Sequence, residues 1–191
     1  MDAPERNPTN VTRGDELLDG LLDIYLAEGF RHLGVAELAR RLKCSKTTLY
    51  SIAPSKEQIV IVAVRAFFRA ATERVEQRIA LSGQPRDRIA AYLQAIADEL
   101  RPAGPAFIAD VEAFAPAREI YQRNTQAAAL RVQDLIAEAR TVSTQLDPRF
   151  VGVVARLVME AIQRGTISRE ANLEDSQAYA ALSDLLIAGL S

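Results

Sequence analysis

Cysteine and histidine are almost absent from this 191-residue sequence, which contains one of each, Cys44 and His32. One thiol cannot form an intramolecular disulfide, and a zinc site needs several cysteine or histidine ligands. A Ser-His-Asp or Cys-His catalytic site is excluded from the region beyond residue 44, and the phosphate-binding motifs GxxxxGK(S/T) and GxGxxG are missing. We therefore expect a protein that is not an enzyme and that uses no cofactor or metal.

Long apolar runs are missing as well. No segment approaches the roughly 18 apolar residues that a membrane-spanning helix needs. The first 30 residues carry seven acidic side chains, where a secretory signal would be basic and then apolar. Apolar residues make up 49% and charged residues 25% of the chain, which is typical of a folded globular protein. We expect a cytoplasmic protein with no membrane partner.

Lysine is scarce, and its distribution is uneven. The chain has 20 arginines but three lysines, Lys43, Lys46 and Lys56, and all three fall within 14 residues. The net charge is −2, which alone would argue against a nucleic-acid partner. Residues 1–30 hold two basic and seven acidic side chains, however, whereas residues 31–56 hold six basic and one acidic. This local cationic segment indicates a phosphate-bearing partner.

Apolar side chains recur at intervals of three and four residues along nearly the whole chain, which predicts an all-α fold. Residues 1–11 are predicted to be a flexible leader, and Thr12 is predicted to cap a first helix that ends at Gly29. Prolines, glycines and polar stretches divide the rest of the chain. The predicted helices cover 12–28, 35–42, 46–52, 56–81, 86–100, 105–114, 117–142, 148–164 and 174–189, with a polar connection at 165–172.

The second and third predicted helices have the layout of a helix-turn-helix DNA-binding unit, in which two short helices are joined by a tight turn and the last helix enters the major groove. The turn is Lys43-Cys44, and Ser45 is expected to cap the last helix. Lys46 to Thr48 form its first turn, where short polar side chains can reach base edges. Tyr50 and Ser51 face outward. Lys56 begins the next helix, where backbone N–H groups favour a phosphate.

The order of these residues closely resembles the N-terminal domain of TetR-family transcriptional regulators. The matching stretches, all within residues 12–60, are Gly29-Phe30, Leu38-Ala39 with Leu42, Ser45 to Tyr50, and Pro54 to Glu57. The resemblance implies an N-terminal three-helix helix-turn-helix domain over 12–55 and a C-terminal helical ligand-binding and dimerisation domain over 56–191. It also implies that Lys46, Thr47 and Thr48 face bases and that Tyr50 and Lys56 bind backbone phosphates. With Ser45 and Ser51 these are the predicted DNA-binding residues.

Several positions depart from the family pattern. Gly34 replaces the usual threonine, which removes a helix cap and a hydroxyl that could bind phosphate. Lys43-Cys44 replaces Gly-Val, so we expect a positive φ at Lys43, with up to about 1 kcal/mol of strain, and an inert, buried thiol at Cys44. Ala53 replaces a large aromatic residue. His32 is expected to be a surface or packing residue.

Two of the last helices are predicted to form a dimer interface. The segment 148–164 is apolar around most of its circumference, and the segment 174–189 is similar. We expect these helices from two copies to pack as a four-helix interface. The alternative is that they pack on each other within one subunit. The predicted interface residues are Phe150, Val151, Val154, Leu157, Val158, Ile162, Leu182, Leu185 and Leu186.

The C-terminal helices also offer candidates for a ligand pocket. We predict that Tyr92, Ile96, Phe107, Phe114, Tyr121, Met159 and Gln163 line it, with ordinary core packing as the alternative for each. Asp110, Glu112 and Arg118 could orient a charged ligand, or they could form a solvated face.

The predicted function is that of a ligand-responsive transcriptional regulator. In this hypothesis a homodimeric repressor binds a palindromic operator in double-stranded DNA and is released by a small-molecule effector. The alternative is a helical protein-interaction module that has lost DNA binding.

Overall fold

The computed structural model describes residues 13–139 and 147–189. Within these ranges all the regular structure is helical and no β-strand occurs, which confirms the predicted fold class. The predicted leader 1–11, the Thr12 cap and the end of the seventh predicted helix at 140–142 lie outside the described residues.

The helices follow one another with short connections. In the described part of the chain they are α1 (Arg13–Glu28), α2 (Val35–Arg41), α3 (Lys46–Tyr50), α4 (Lys56–Ala80), α5 (Pro85–Leu100), α6 (Pro105–Ala113), α7 (Ala115–Ala139), α8 (Pro148–Gln163), α9 (Thr166–Ala171) and α10 (Asp175–Ala188).

Local sequence signals set most of these boundaries. Three helices begin with a proline, whose fixed φ suits the first helical position and whose missing N–H is not needed there. The Ser55 side chain accepts a hydrogen bond from the Gln58 backbone N–H at 3.2 Å and caps α4. Gly29 has a φ of +79°, which lets the chain leave α1 in a left-handed conformation.

Several helix ends differ from the prediction by one or two residues, and two segments differ in more than that. The segment 165–172 was expected to be a polar connection, but it contains α9, bracketed by Gly165 and Asn172 with φ values of +65° and +53°. Pro116 was expected to precede the seventh helix. It lies instead in the first turn of α7, where a proline costs no hydrogen bond.

The buried apolar side chains form two clusters. The N-terminal core joins α1 to α4 with residues of α6 and of the start of α7, among them Phe107, Val111 and Tyr121. The C-terminal core joins the end of α4 with α5, α7, α8 and α10. Because α4 contributes to both clusters, it connects the small helices at one end of the molecule to the larger helical bundle.

Candidate DNA-binding surface and ligand cavity

The helix-turn-helix unit is built around two fully buried leucines, Leu38 on α2 and Leu49 on α3. Between the helices Lys43 has a φ of +51°, the left-handed conformation expected at that position. The Cys44 backbone N–H then donates to the carbonyl of Ala39 at 3.0 Å and closes the turn. These contacts orient α3 with one side on the core and the other side facing solvent.

The solvent side of α3 carries two free polar side chains, Lys46 and Thr47, which are both exposed. Thr48 is half-buried, and its hydroxyl lies 2.8 Å from that of Ser45. The Ser45 hydroxyl also accepts a hydrogen bond from the Thr48 backbone N–H at 3.0 Å, so Ser45 caps α3. Ser45 and Thr48 therefore hold the start of the helix in place, while Lys46 and Thr47 are available to a ligand.

The remaining predicted DNA contacts surround this helix. Tyr50 is exposed at the end of α3, and the Ser51 hydroxyl donates to the carbonyl of Thr48 at 2.7 Å. Lys56 Nζ donates to the backbone carbonyl of Arg31 at 2.8 Å. An ammonium group has three donors, so this bond holds the lysine against the connection between α1 and α2 and leaves donors for a phosphate.

Ion pairs reduce the free positive charge of the cationic segment. Arg40 and Arg41 both bind Glu37, with N···O distances of 2.7 Å, and Arg41 also binds Glu28 at 2.6 Å. Hydrogen bonds from these two arginines lower the pKa of Glu37 to about 2. The cations on this face without a carboxylate partner among the described residues are Arg31, Lys43, Lys46 and Lys56.

The departures from the family pattern have local consequences. Gly34 is the N-cap of α2 and makes no side-chain cap, and a Cβ added to it would meet no atom within 4 Å. Cys44 is half-buried against the N-terminal core, so its thiol is less enclosed than expected. Ala53 is buried. His32 is exposed on the connection between α1 and α2, consistent with the expected surface position.

A carboxylate on α6 binds the end of α1. Asp110 Oδ2 accepts hydrogen bonds from the backbone N–H groups of Phe30 at 2.6 Å and Arg31 at 2.8 Å. At the start of α6 the Gly104 N–H donates to the carbonyl of Leu26 at 2.8 Å. Arg31 is thus held through its N–H by α6 and through its carbonyl by Lys56. Asp110, which was predicted to orient a charged ligand or to be solvated, binds these two backbone N–H groups in this structure.

A cavity of about 360 Å³ lies in the larger bundle, between α4, α5 and α7. Its inner wall includes Tyr92, Tyr121, Met159 and Tyr179, which are all buried. Burial raises the pKa of each of the three tyrosines above its usual value. Its outer part is lined by the more exposed side chains Thr72, Glu76, Ala127, Leu130, Arg131 and Asp134 of α4 and α7.

The structure places four of the seven predicted pocket residues around this cavity, namely Tyr92, Ile96, Tyr121 and Met159. Phe107 and Phe114 lie elsewhere, because α6 turns them toward Phe30 in the N-terminal core, at ring distances of 6.2 and 6.3 Å. Gln163 is buried on α8 but does not line the cavity. The polar lining residues of α4 and α7 were missed, because polar positions on an amphipathic helix usually indicate a solvated face.

The predicted interface residues of α8 and α10 divide into two groups. Phe150, Leu157 and Leu185 are 64%, 50% and 63% exposed and form an apolar outer face, with Val154 and Val158 partly buried beside them. The other four belong to the C-terminal core and pack within one subunit, which was the alternative prediction. They are Val151, Ile162, Leu182 and Leu186. Val153, which is 48% exposed, was not predicted and extends the outer face.

The described residues contain neither a cluster of metal-binding side chains nor a helix that could span a membrane. No three His, Cys, Asp or Glu side chains in 13–139 and 147–189 are grouped so that they could hold a metal ion. No helix in the same ranges combines the length and hydropathy that crossing a membrane requires.

No protein-family model and no curated protein matches the sequence. Solved structures do match. A transcriptional regulator of the TetR/AcrR family from Thermobifida fusca is 18% identical, with 94% of this chain and 98% of that chain covered and a TM-score of 0.65. A TetR-family transcriptional regulator from Streptomyces coelicolor is 16% identical, with 92% and 88% covered and a TM-score of 0.69.

A third structure contains a ligand. The transcriptional regulator FadR from Bacillus subtilis, in complex with stearoyl-CoA, is 14% identical, with 92% of this chain and 98% of that chain covered and a TM-score of 0.63. Similarity at these identities concerns the fold, and it extends over more than nine-tenths of this chain. The chain therefore has the fold of the TetR-family transcriptional regulators, with an N-terminal helix-turn-helix domain and a C-terminal helical domain.

Proposed function

We propose that this protein is a homodimeric transcriptional repressor that leaves a palindromic operator when a small molecule occupies the cavity. The observation that carries this proposal is the exposed polar face of α3, where Lys46 and Thr47 project from a helix-turn-helix unit beside Lys56. The fold shared with known regulators supports the same function, as does the cavity in the larger bundle.

In this proposal α3 lies in the major groove. Lys46 and Thr47 contact base edges, while Tyr50 and Lys56 bind the flanking phosphates. Ser45 and Thr48 fix the angle of the helix through their mutual hydrogen bonds. A helix of five residues reads few base pairs, so specificity requires a second copy on a second half-site.

The second copy is proposed to bind through the outer face of α8 and α10. Phe150, Val153, Leu157 and Leu185 place four large apolar side chains on the surface of one subunit. Contiguous apolar surface of this kind favours association in water. A two-fold dimer formed there uses the same face of both subunits, and a palindromic operator has the matching symmetry.

The cavity is connected to the proposed DNA-binding surface through α4. This helix begins at Lys56, and Glu76 on the same helix lines the cavity. Twenty residues of α-helix span about 30 Å, so a small rotation at the cavity becomes a larger displacement at Lys56. A ligand would release DNA only if it binds the DNA-free arrangement more tightly.

The proposal is tested by selecting bound duplexes from a random pool with the full-length protein and measuring their affinity by fluorescence anisotropy at several salt concentrations. We expect a palindromic preference and an affinity that falls steeply with salt. Lys56→Ala should weaken all duplexes alike and reduce the slope of log K against log salt by about 1. Arg69→Ala, which removes a charge from the exposed face of the same helix, is the control.

Thr47→Ala should change which duplex is preferred, because Thr47 is assigned to bases. A protein that shows no preferred sequence and no salt dependence would support the alternative, a helical interaction module without DNA binding.

A further inference from the structure

We propose that the ligand of the cavity is an apolar organic cation. This inference rests on the proposed function, since it names the chemical class of the effector that would act at this site. It follows from three features of the cavity, namely its aromatic wall, the balance of charge around it and the ion pair between α4 and α7.

Aromatic rings form much of the wall. Phe68, Tyr92, Tyr121 and Tyr179 all line the cavity, and the rings of Phe68 and Tyr121 stack with their centroids 5.0 Å apart. The face of an aromatic ring carries partial negative charge, which attracts a cation within about 6 Å of the ring centre. A positively charged centre within that distance of one of these rings would gain this attraction. A neutral ligand of the same shape would gain only the apolar contacts.

The charged residues around the cavity favour the same sign of ligand. Among the described lining residues three carry a carboxylate, Glu76, Glu99 and Asp134, and one carries a guanidinium, Arg131. Glu99 forms an ion pair at 2.6 Å with Arg74, which does not line the cavity. Asp134 has no ion pair within the described part of the chain. Each anion added to such a site would raise its negative charge further.

The charge of Arg131 is already shared. It lies 3.3 Å from Glu76 on α4 and 3.5 Å from Glu138 on its own helix, so two carboxylates offset its charge. A ligand carboxylate or phosphate would have to compete with both of them for the guanidinium. A cation instead binds Glu76 directly and leaves Arg131 paired with Glu138.

The ion pair between Glu76 and Arg131 joins the two helices that border the outer part of the cavity. Close to it the hydroxyl of Thr72 on α4 lies 3.2 Å from Asn124 Oδ1 on α7. A cation that takes over Glu76 replaces the link to Arg131 and so weakens the polar contact between α4 and α7. Binding of the ligand and a shift of α4 relative to α7 are coupled in this way.

The proposal is tested with three small probes that share a benzyl group and the same number of non-hydrogen atoms: benzyltrimethylammonium, benzyl methyl sulfone and benzylsulfonate. Their affinities for the full-length protein are measured by isothermal titration calorimetry. We expect the cation to bind more tightly than the neutral sulfone by roughly 2- to 30-fold, the range that cation–π contacts provide. The sulfonate should bind most weakly.

Two variants test whether the carboxylate of Glu76 contributes to binding of the cation. Glu76→Gln should weaken binding of the cation by about 2- to 5-fold and leave the sulfone nearly unchanged, since Glu76 is partly exposed and solvent screens its charge. Glu73→Gln removes an exposed carboxylate from the same helix outside the cavity lining and should change neither affinity. Tightest binding of the sulfonate, equal binding of cation and sulfone, no binding of any probe, or equal effects of the two variants would each overturn the proposal.

The same protein samples are tested for salt-dependent DNA binding. A sample that binds DNA specifically but prefers the sulfonate refutes the ligand class and leaves the regulatory function intact. A sample that prefers the cation but binds no DNA supports the ligand class and refutes the regulatory function.

Discussion

Replacing Asp110 with alanine should destabilise the junction between α6 and the end of α1. One carboxylate oxygen accepts hydrogen bonds from the backbone N–H groups of Phe30 at 2.6 Å and Arg31 at 2.8 Å. A hydrogen bond to a charged group contributes about 1.5–3 kcal/mol when it is buried. Since the Arg31 N–H is exposed and can bind water in the variant, we expect a total loss of about 2 kcal/mol. In a protein of this size that loss lowers Tm by about 4–8 °C.

The same substitution should weaken DNA binding. Asp110 binds the N–H of Arg31, and the carbonyl of the same residue accepts a hydrogen bond from Lys56 Nζ at 2.8 Å. Once Arg31 is free to move, Lys56 must be ordered again when DNA binds. Ordering one long side chain costs about 0.5–1.5 kcal/mol, so the affinity should fall by about 2- to 10-fold.

The assay is urea unfolding followed by circular dichroism, together with the anisotropy titration. Asp110→Asn keeps an oxygen acceptor but loses the charge, and it should lose about half as much stability. Glu112→Ala removes the same charge from the same helix without touching the α1 connection, and it should change little. The reasoning would be refuted if Asp110→Ala unfolded at the same urea midpoint as the wild type. It would also be refuted if Glu112→Ala lost as much unfolding free energy as Asp110→Ala.

Three further predictions concern other sites. Gly34→Ser should raise the unfolding free energy by about 0.3–0.5 kcal/mol, measured by calorimetry, because a serine hydroxyl can cap α2 and nothing lies within 4 Å of the new Cβ. Leu157→Glu should give a folded monomer in sedimentation, whereas Leu182→Glu, at a position only 3% exposed, should unfold; a Leu157→Glu dimer would place the interface elsewhere. Burial raises the pKa of Tyr121 and Tyr179, so the folded state holds these protons more tightly than the unfolded state, and urea midpoints should fall as the pH rises above about 10.

Features that depend on a few neighbouring residues were predictable from the sequence. Ser45 caps its helix as expected and Ser55 caps α4 in the same way, because the cap needs only a hydroxyl and the N–H three residues later. The positive φ expected at Lys43 from the family pattern, where glycine is usual, is also present. The ion pairs of Arg40 and Arg41 with Glu37 could also have been predicted, since spacings of three and four residues place these side chains on one face of a helix.

Features that depend on the path of the chain were not predictable. Periodicity shows that Phe107 is buried, but only the direction of α6 decides that it packs in the N-terminal core rather than against the cavity. On α8 the sequence shows a wide apolar surface without showing which part of it faces the subunit. Val151 faces inward and Val153 outward, although the two are equally apolar. The polar side of the cavity requires Glu76 and Arg131, which are 55 residues apart in the sequence, to meet across two helices.

The composition of the N-terminal core limits how the protein can be divided. The helix-turn-helix segment shares its core with Phe107, Val111 and Tyr121, which come from helices far along the chain. An excised fragment of residues 12–55 would therefore expose apolar surface that α4, α6 and α7 normally cover, and it should not fold as an autonomous unit. A chimaera that transplants the helix-turn-helix segment onto another regulator must carry the first half of α4, α6 and the first turns of α7 with it, or supply substitutes of the same shape.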